Sequence, residues 1–108
     1  MKKIQFMPLA LQDLTELKAY ITEESGSEIP AKKTVEEILK RISVLSAFPE
    51  IGRPLSSFMN IDTPYRFLVC KNYNVFYRTD DNNVWVTRVL HNRRNYMQIL
   101  FGDSLDDE

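Results

Sequence analysis

The segment Tyr65-Arg66-Phe67-Leu68-Val69-Cys70-Lys71-Asn72-Tyr73-Asn74-Val75-Phe76-Tyr77-Arg78 decides the fold. Two runs dense in β-branched and aromatic residues flank the polar pair Lys71-Asn72, a connection short enough to join antiparallel strands. A third run, Val84-Trp85-Val86-Thr87-Arg88-Val89-Leu90, follows Asp80-Asp81-Asn82-Asn83, whose side chains favour turns over ladders. The three runs predict a three-stranded antiparallel meander.

Toward the amino terminus the period changes. Lys2-Lys3-Ile4-Gln5-Phe6-Met7 alternates well enough for a short strand, which Pro8 closes because proline cannot donate to a ladder. From Leu9 onward Ala10, Leu14, Leu17 and Ile21, with Leu11 and Tyr20 beside them, share one helical face. Asp13, Glu16 and Lys18 are expected largely on the other. Glu23-Glu24-Ser25-Gly26-Ser27 breaks this helix. A second begins near Pro30, with Ala31, Val35, Ile38, Leu39, Ile42 and Leu45 as its apolar stripe, and ends before Pro49. The two form an antiparallel hairpin. Phe48 to Leu55 reads as a loop, and irregular chain is expected from there to Pro64.

After the meander, Tyr96, Ile99 and Leu100 are spaced for a short helix near Arg93 to Phe101, and Gly102 with the acidic tail 103–108 signals fraying. The fold is therefore α+β: one strand, a helical hairpin, a three-stranded meander and a short last helix in one domain over residues 1–102, with a disordered tail. The first strand is expected at an edge of the sheet. Apolar side chains on the sheet face that the hairpin leaves open need cover, from another chain or from the last helix.

A chain of 108 residues has room for one core. The opening residues lack the apolar core of a signal peptide, and no stretch approaches the roughly 18 apolar residues of a membrane span, so a cytoplasmic protein with no membrane partner is expected. Cys70, the lone cysteine, reads as a reduced, packed thiol. Charge is unevenly spread. Residues 1–52 carry seven basic and eight acidic groups, residues 53–101 seven basic and three acidic, and the tail four acids. Six of the seven basic groups in the middle segment are arginines, whose planar fork suits phosphate or carboxylate.

Four fragments in this order resemble the RelE/ParE superfamily of toxins, small proteins encoded beside an antitoxin. They are Ala10-x-x-Asp13-Leu14-x-x-Leu17-x-x-Tyr20-Ile21; Leu45-x-x-x-Pro49-x-x-Gly52-Arg53-Pro54-Leu55; Tyr65-Arg66-x-Leu68 with Tyr73-x-Val75-x-Tyr77-Arg78; and Arg88-Val89-Leu90-His91-x-Arg93-Arg94-Asn95-Tyr96. The resemblance covers essentially residues 3–101. It implies a type II toxin held by a cognate antitoxin, and two activities within one fold: ParE-like inhibition of DNA gyrase, or RelE-like cleavage of mRNA on the ribosome. A third reading is a toxin fold that has lost its activity and serves only as the antitoxin's partner.

Metal-free RNA cleavage needs a base for the 2′-hydroxyl, cations for the phosphate and an acid for the leaving oxygen. For a nuclease the resemblance assigns His91 as base or acid, Tyr96 as its partner, and Arg66 and Arg78 as phosphate clamps. Arg53, Arg93 and Arg94 are the candidates for contact with a protein or nucleic-acid partner. The blander readings are a hydrogen-bonded turn histidine at His91, a helix-capping Arg53, and structural arginines in the strands at Arg66 and Arg78. The ending Leu90-His91-Asn92-Arg93-Arg94-Asn95 is nearest to the His-x-Arg-x-Asp of ParE-like members, with Asn95 in place of the aspartate. A sequence pI of about 5.8 fits poorly with an enzyme that works among ribosomal phosphates, and it favours the ParE-like reading. A single histidine and a single cysteine offer too few ligands for a zinc site without carboxylates, and no phosphate loop or dinucleotide fingerprint is present, so no metal or cofactor is expected. Trp85 and the meander tyrosines read most simply as core.

Overall fold

The computed structural model describes residues 1–93 and Ile99, and for residues 58 and 59 the backbone alone. The elements run β1 (Lys3–Phe6), α1 (Pro8–Ser25), α2 (Glu28–Ser43), a 3-10 turn (Val44–Ser46), β2 (Arg53–Pro54), α3 (Ser56–Met59), β3 (Arg66–Cys70), β4 (Tyr73–Thr79) and β5 (Asn83–His91). The expected α+β architecture is what is found. The last helix and the acidic tail lie outside the described residues, Ile99 excepted.

Between α1 and α2 only Gly26 and Ser27 intervene. Gly26 takes a left-handed φ of 74° that ends α1 and donates its N–H to Thr22 O at 2.9 Å. Ser27 caps α2 by accepting from Ile29 N at 3.2 Å, so the helix starts at Glu28, ahead of the expected Pro30. Pro30 is tolerated because it lies in the first turn, where its missing donor would have had no intrahelical acceptor. The stretch expected to be irregular up to Pro64 contains two short elements, β2 and the single turn α3.

The sheet order is β1-β5-β4-β3-β2. β3, β4 and β5 form the antiparallel meander, β2 adds two residues outside β3, and β1 pairs parallel with β5, Lys3 opposite Asn83 through Phe6 opposite Val86. Phe76 pairs with Arg88 and Tyr77 with Val86, so Thr87 is an extra residue in β5, a bulge that re-aims Arg88.

Two clusters of buried side chains sandwich the sheet. The larger packs Ala10, Leu14 and Leu17 of α1 and Ile38 and Ile42 of α2 against Leu68, Val75, Tyr77, Val84, Val86 and Val89. The smaller, on the opposite face, joins Leu55, Phe67, Phe76 and Leu90, with Tyr65 and Ile99 packed against it. Ile99 thus supplies part of the cover that this face required. Asp13, expected on the polar side of its helix, is instead only 6% exposed. It follows Ala10 by three residues and precedes Leu17 by four, which places it on the buried stripe. Trp85, expected in the core, is half-buried beside Arg78. No helix among the described residues is long and apolar enough to cross a membrane.

Candidate functional site

Two cavities flank the meander. The first, about 400 Å³, lies on the helix side and is lined by Asp13, Glu16, Leu17 and Tyr20 of α1 and by Tyr73, Val89, His91 and Arg93. His91 ends β5 directly opposite Tyr73, and the two rings meet edge to face at 5.3 Å. The Arg93 backbone N–H donates to His91 Nδ1 at 3.1 Å, which leaves Nε2 to carry the proton of the neutral ring. Burial pushes the Tyr73 phenol above its ordinary value, and nearby Tyr20 adds to the effect.

Asp13 is held from three directions. It accepts from Arg88 Nε at 2.8 Å, from Arg88 Nη2 at 2.9 Å and from the Val89 backbone N–H at 2.9 Å. β1 stops at Phe6, opposite Val86, so beyond that point the outer edge of β5 has no strand neighbour among the described residues. The carboxylate stands in for one. The hydrogen bond that Arg88 donates to Asp13 is the largest influence on its guanidinium and raises it above its usual value.

The second cavity, about 390 Å³, lies on the open face between Met7, Pro8 and Leu9, the strand residues Arg78, Thr87 and Arg88, and Tyr65 with Ile99. Arg78 does not point freely into it: the guanidinium lies 5.7 Å over the Trp85 ring. The Trp85 indole in turn donates to Asp80 Oδ2 at 2.8 Å. That bond, with backbone N–H donation from Asn82 and Asn83, lowers the Asp80 carboxyl to about 2.

A third arrangement fixes the loop before β2. Tyr77, fully buried, donates its hydroxyl proton to Pro49 O at 2.7 Å and accepts from Gly52 N at 2.9 Å. Arg66 Nη1 donates to Gly52 O at 2.8 Å and Glu50 O at 3.3 Å. The ring presses so closely on Gly52 that a Cβ there would lie 2.3 Å from the Tyr77 oxygen, which is why the loop carries glycine.

The sequence-predicted residues are therefore dispersed. His91 and Arg93 share the helix-side cavity, and Arg78 lines the other one. Side chains alternate along β4, so Arg78, five residues from Tyr73, faces away from the side that Tyr73 and His91 occupy. Along β4 Arg78 is five residues from Tyr73, the partner of His91, roughly 17 Å at about 3.3 Å per residue. Arg66 serves the loop, and Arg53 is exposed in β2, paired with Phe67. Tyr96 and Arg94 lie outside the described residues. Reasoning from sequence missed the Asp13–Arg88 pair and the role of Tyr77. The first carried a signal, an acid on the apolar stripe of a helix; the second carried none beyond the glycine it faces.

Residues 4–96 match the family described as the ParE toxin of type II toxin-antitoxin systems, parDE. Among solved structures the fold is similar to a chain of the chromosomal ParDE system from P. aeruginosa, with a TM-score of 0.71 and 17% identity over 84% of this chain and 96% of that one. A fainter likeness, TM-score 0.43 at 13% identity over 84% of this chain and 93% of that one, is to YafQ from E. coli strain BL21(DE3). No curated protein matches significantly. A family match that spans nearly the whole of the packed domain, on a fold shared with a ParDE chain, places this protein in the ParE toxin family of type II toxin-antitoxin systems.

Proposed function

We propose that this toxin arrests growth by binding a protein target, DNA gyrase, and that it does not cleave RNA. The observation that carries the reading is the separation of His91 from Arg78 by the thickness of the sheet and by roughly 17 Å along the strands. A general base and a phosphate clamp must meet the same nucleotide within hydrogen-bond reach, and these two open into different cavities. Of the other strand arginines, Arg66 is committed to loop carbonyls and Arg88 to Asp13.

The cognate antitoxin, in this reading, supplies an acidic amphipathic segment that folds into the groove between the helical hairpin and the open sheet face, drawn by the basic second half of the chain. Its affinity should fall with salt, and isothermal titration at rising ionic strength measures the charge component. The mechanism is tested by supercoiling assays with purified gyrase alongside mapping of mRNA ends after induction. Inhibited supercoiling with intact transcripts is the expected result. Cleaved transcripts with unaffected gyrase would replace this reading with the ribosome-dependent nuclease, and normal growth on induction would leave only an inactive partner of the antitoxin.

A further inference from the structure

The loop pinned by Tyr77 and Arg66 shows its apolar side chains to water. Phe48 is 61% exposed, Ile51 43% and Val44, one turn earlier, 38%. They adjoin one another, since Phe48 N donates to Val44 O at 3.0 Å and Ile51 N to Phe48 O at 3.3 Å. Two buried or half-buried side chains are spent on four backbone groups of this loop: the carbonyls of Pro49, Glu50 and Gly52 and the N–H of Gly52. The loop is thereby fixed in shape, while its largest side chains add little to either core.

We propose that Val44, Phe48 and Ile51 form the surface by which the toxin docks on its target, and that the matching site on that protein is an apolar cleft with an acidic rim. The inference rests on the reading that the toxin acts by binding. Apolar side chains on a fixed loop suit this task because little ordering entropy is lost when they enter a cleft, and a few such anchors dominate the affinity of most interfaces. The acidic rim follows from charge. Lys40 and Arg41, four and three residues before Val44, are exposed and form no ion pair among the described residues, and Arg53 stands exposed just beyond the loop. Glu50 is the one acid in the loop itself. The patch runs from the 3-10 turn, where Ser46 O accepts from Lys2 N at 3.0 Å, out to the loop before β2, and shares no residue with either cavity.

The test uses the full chain carrying Phe48→Ser with Ile51→Ser, and separately Lys40→Glu with Arg41→Glu. An unchanged urea midpoint is expected, since all four side chains are exposed. Growth arrest on induction, binding to purified gyrase and affinity for the antitoxin are then measured. The expected result is loss of growth arrest and a gyrase affinity lowered by about 30-fold or more, with antitoxin affinity held within about threefold. Variants that still arrest growth overturn the proposal. Equal loss of antitoxin affinity would assign the surface to the antitoxin, and a changed oligomeric state would assign it to a second copy; either overturns it. A wild-type chain that does not bind gyrase would remove the gyrase reading, while the growth-arrest comparison would still decide whether this loop reaches the target.

Discussion

Asp13 and Arg88 are joined by two parallel hydrogen bonds of 2.8 and 2.9 Å, which tie the middle of α1 to β5 across 75 residues of sequence. The carboxylate also accepts the Val89 N–H, so its removal strands a guanidinium and a buried amide together. Asp13→Ala should destabilise the fold by roughly 2–4 kcal/mol, because an uncompensated charge is worse than no pair at all. Arg88→Met in the same background should recover part of that loss. A urea-unfolding cycle over the four proteins measures both, and a loss below about 1 kcal/mol for Asp13→Ala would show that the pair is screened by solvent.

Tyr77→Phe removes one hydroxyl and leaves Pro49 O and Gly52 N unsatisfied, at a cost of about 1–3 kcal/mol in urea unfolding. Gly52→Ala should do at least as much harm from the other side of the same contact, since the new Cβ must displace the ring. Burial holds the Tyr77 phenol above its ordinary range. Its contribution is therefore complete below the unfolded value of about 10 and is lost as pH rises through the higher folded value. Wild type should accordingly lose stability on alkaline titration more steeply than Tyr77→Phe.

Asp80 works at the opposite end of the pH scale. Its folded carboxyl is lowered to about 2, so its contribution to the β4–β5 turn is complete above the ordinary aspartate value and is lost as pH falls through about 2. The Trp85 indole N–H reports this directly. Its NMR resonance should hold steady from pH 6 to about 3 and shift only below that; a midpoint near 3.9, the value of an unperturbed aspartate, would mean the carboxylate is not held.

His91→Ala and Arg93→Glu separate catalysis from binding. If the toxin binds its target, His91→Ala should leave toxicity nearly unchanged. A nuclease that relied on this imidazole would lose about 10²–10⁴-fold in activity. Arg93→Glu should weaken contact with a partner by about 1.5–3 kcal/mol for each charge-assisted hydrogen bond lost, read by titration calorimetry against antitoxin and gyrase. A folded His91→Ala chain without toxicity, beside a fully toxic Arg93→Glu chain, would reverse the assignment.

The meander and the helical hairpin were legible because each rests on local periodicity: two along Tyr73–Thr79, 3.6 along Ala10, Leu14 and Leu17. Arg53–Pro54 was not legible as a strand, since two residues carry no period and pair only because Phe67 and Arg66 lie opposite. Candidate site residues could be named but not located relative to one another. That Arg78 and His91 face opposite ways follows from counting along β4 only once Tyr73 is known to stand across from His91. The arginine-rich second half suggested a single basic surface, yet Arg66, Arg78 and Arg88 are engaged with a loop, an indole and a helix carboxylate.

The parallel pairing of β1 with β5 also governs when the chain can become a toxin. Strand β1 finds its partner, Asn83 to Val86, about eighty residues after it is made, and Asp13 waits 75 residues for Arg88. At ordinary synthesis rates of about 5–20 residues per second, the nascent protein spends several seconds with its amino-terminal strand unpaired and its helical hairpin lacking most of the sheet. Contacts of such long sequence separation also close slowly. The fold therefore cannot close until β5 has been made, which leaves an interval in which an antitoxin already present can reach the chain before it is a finished toxin.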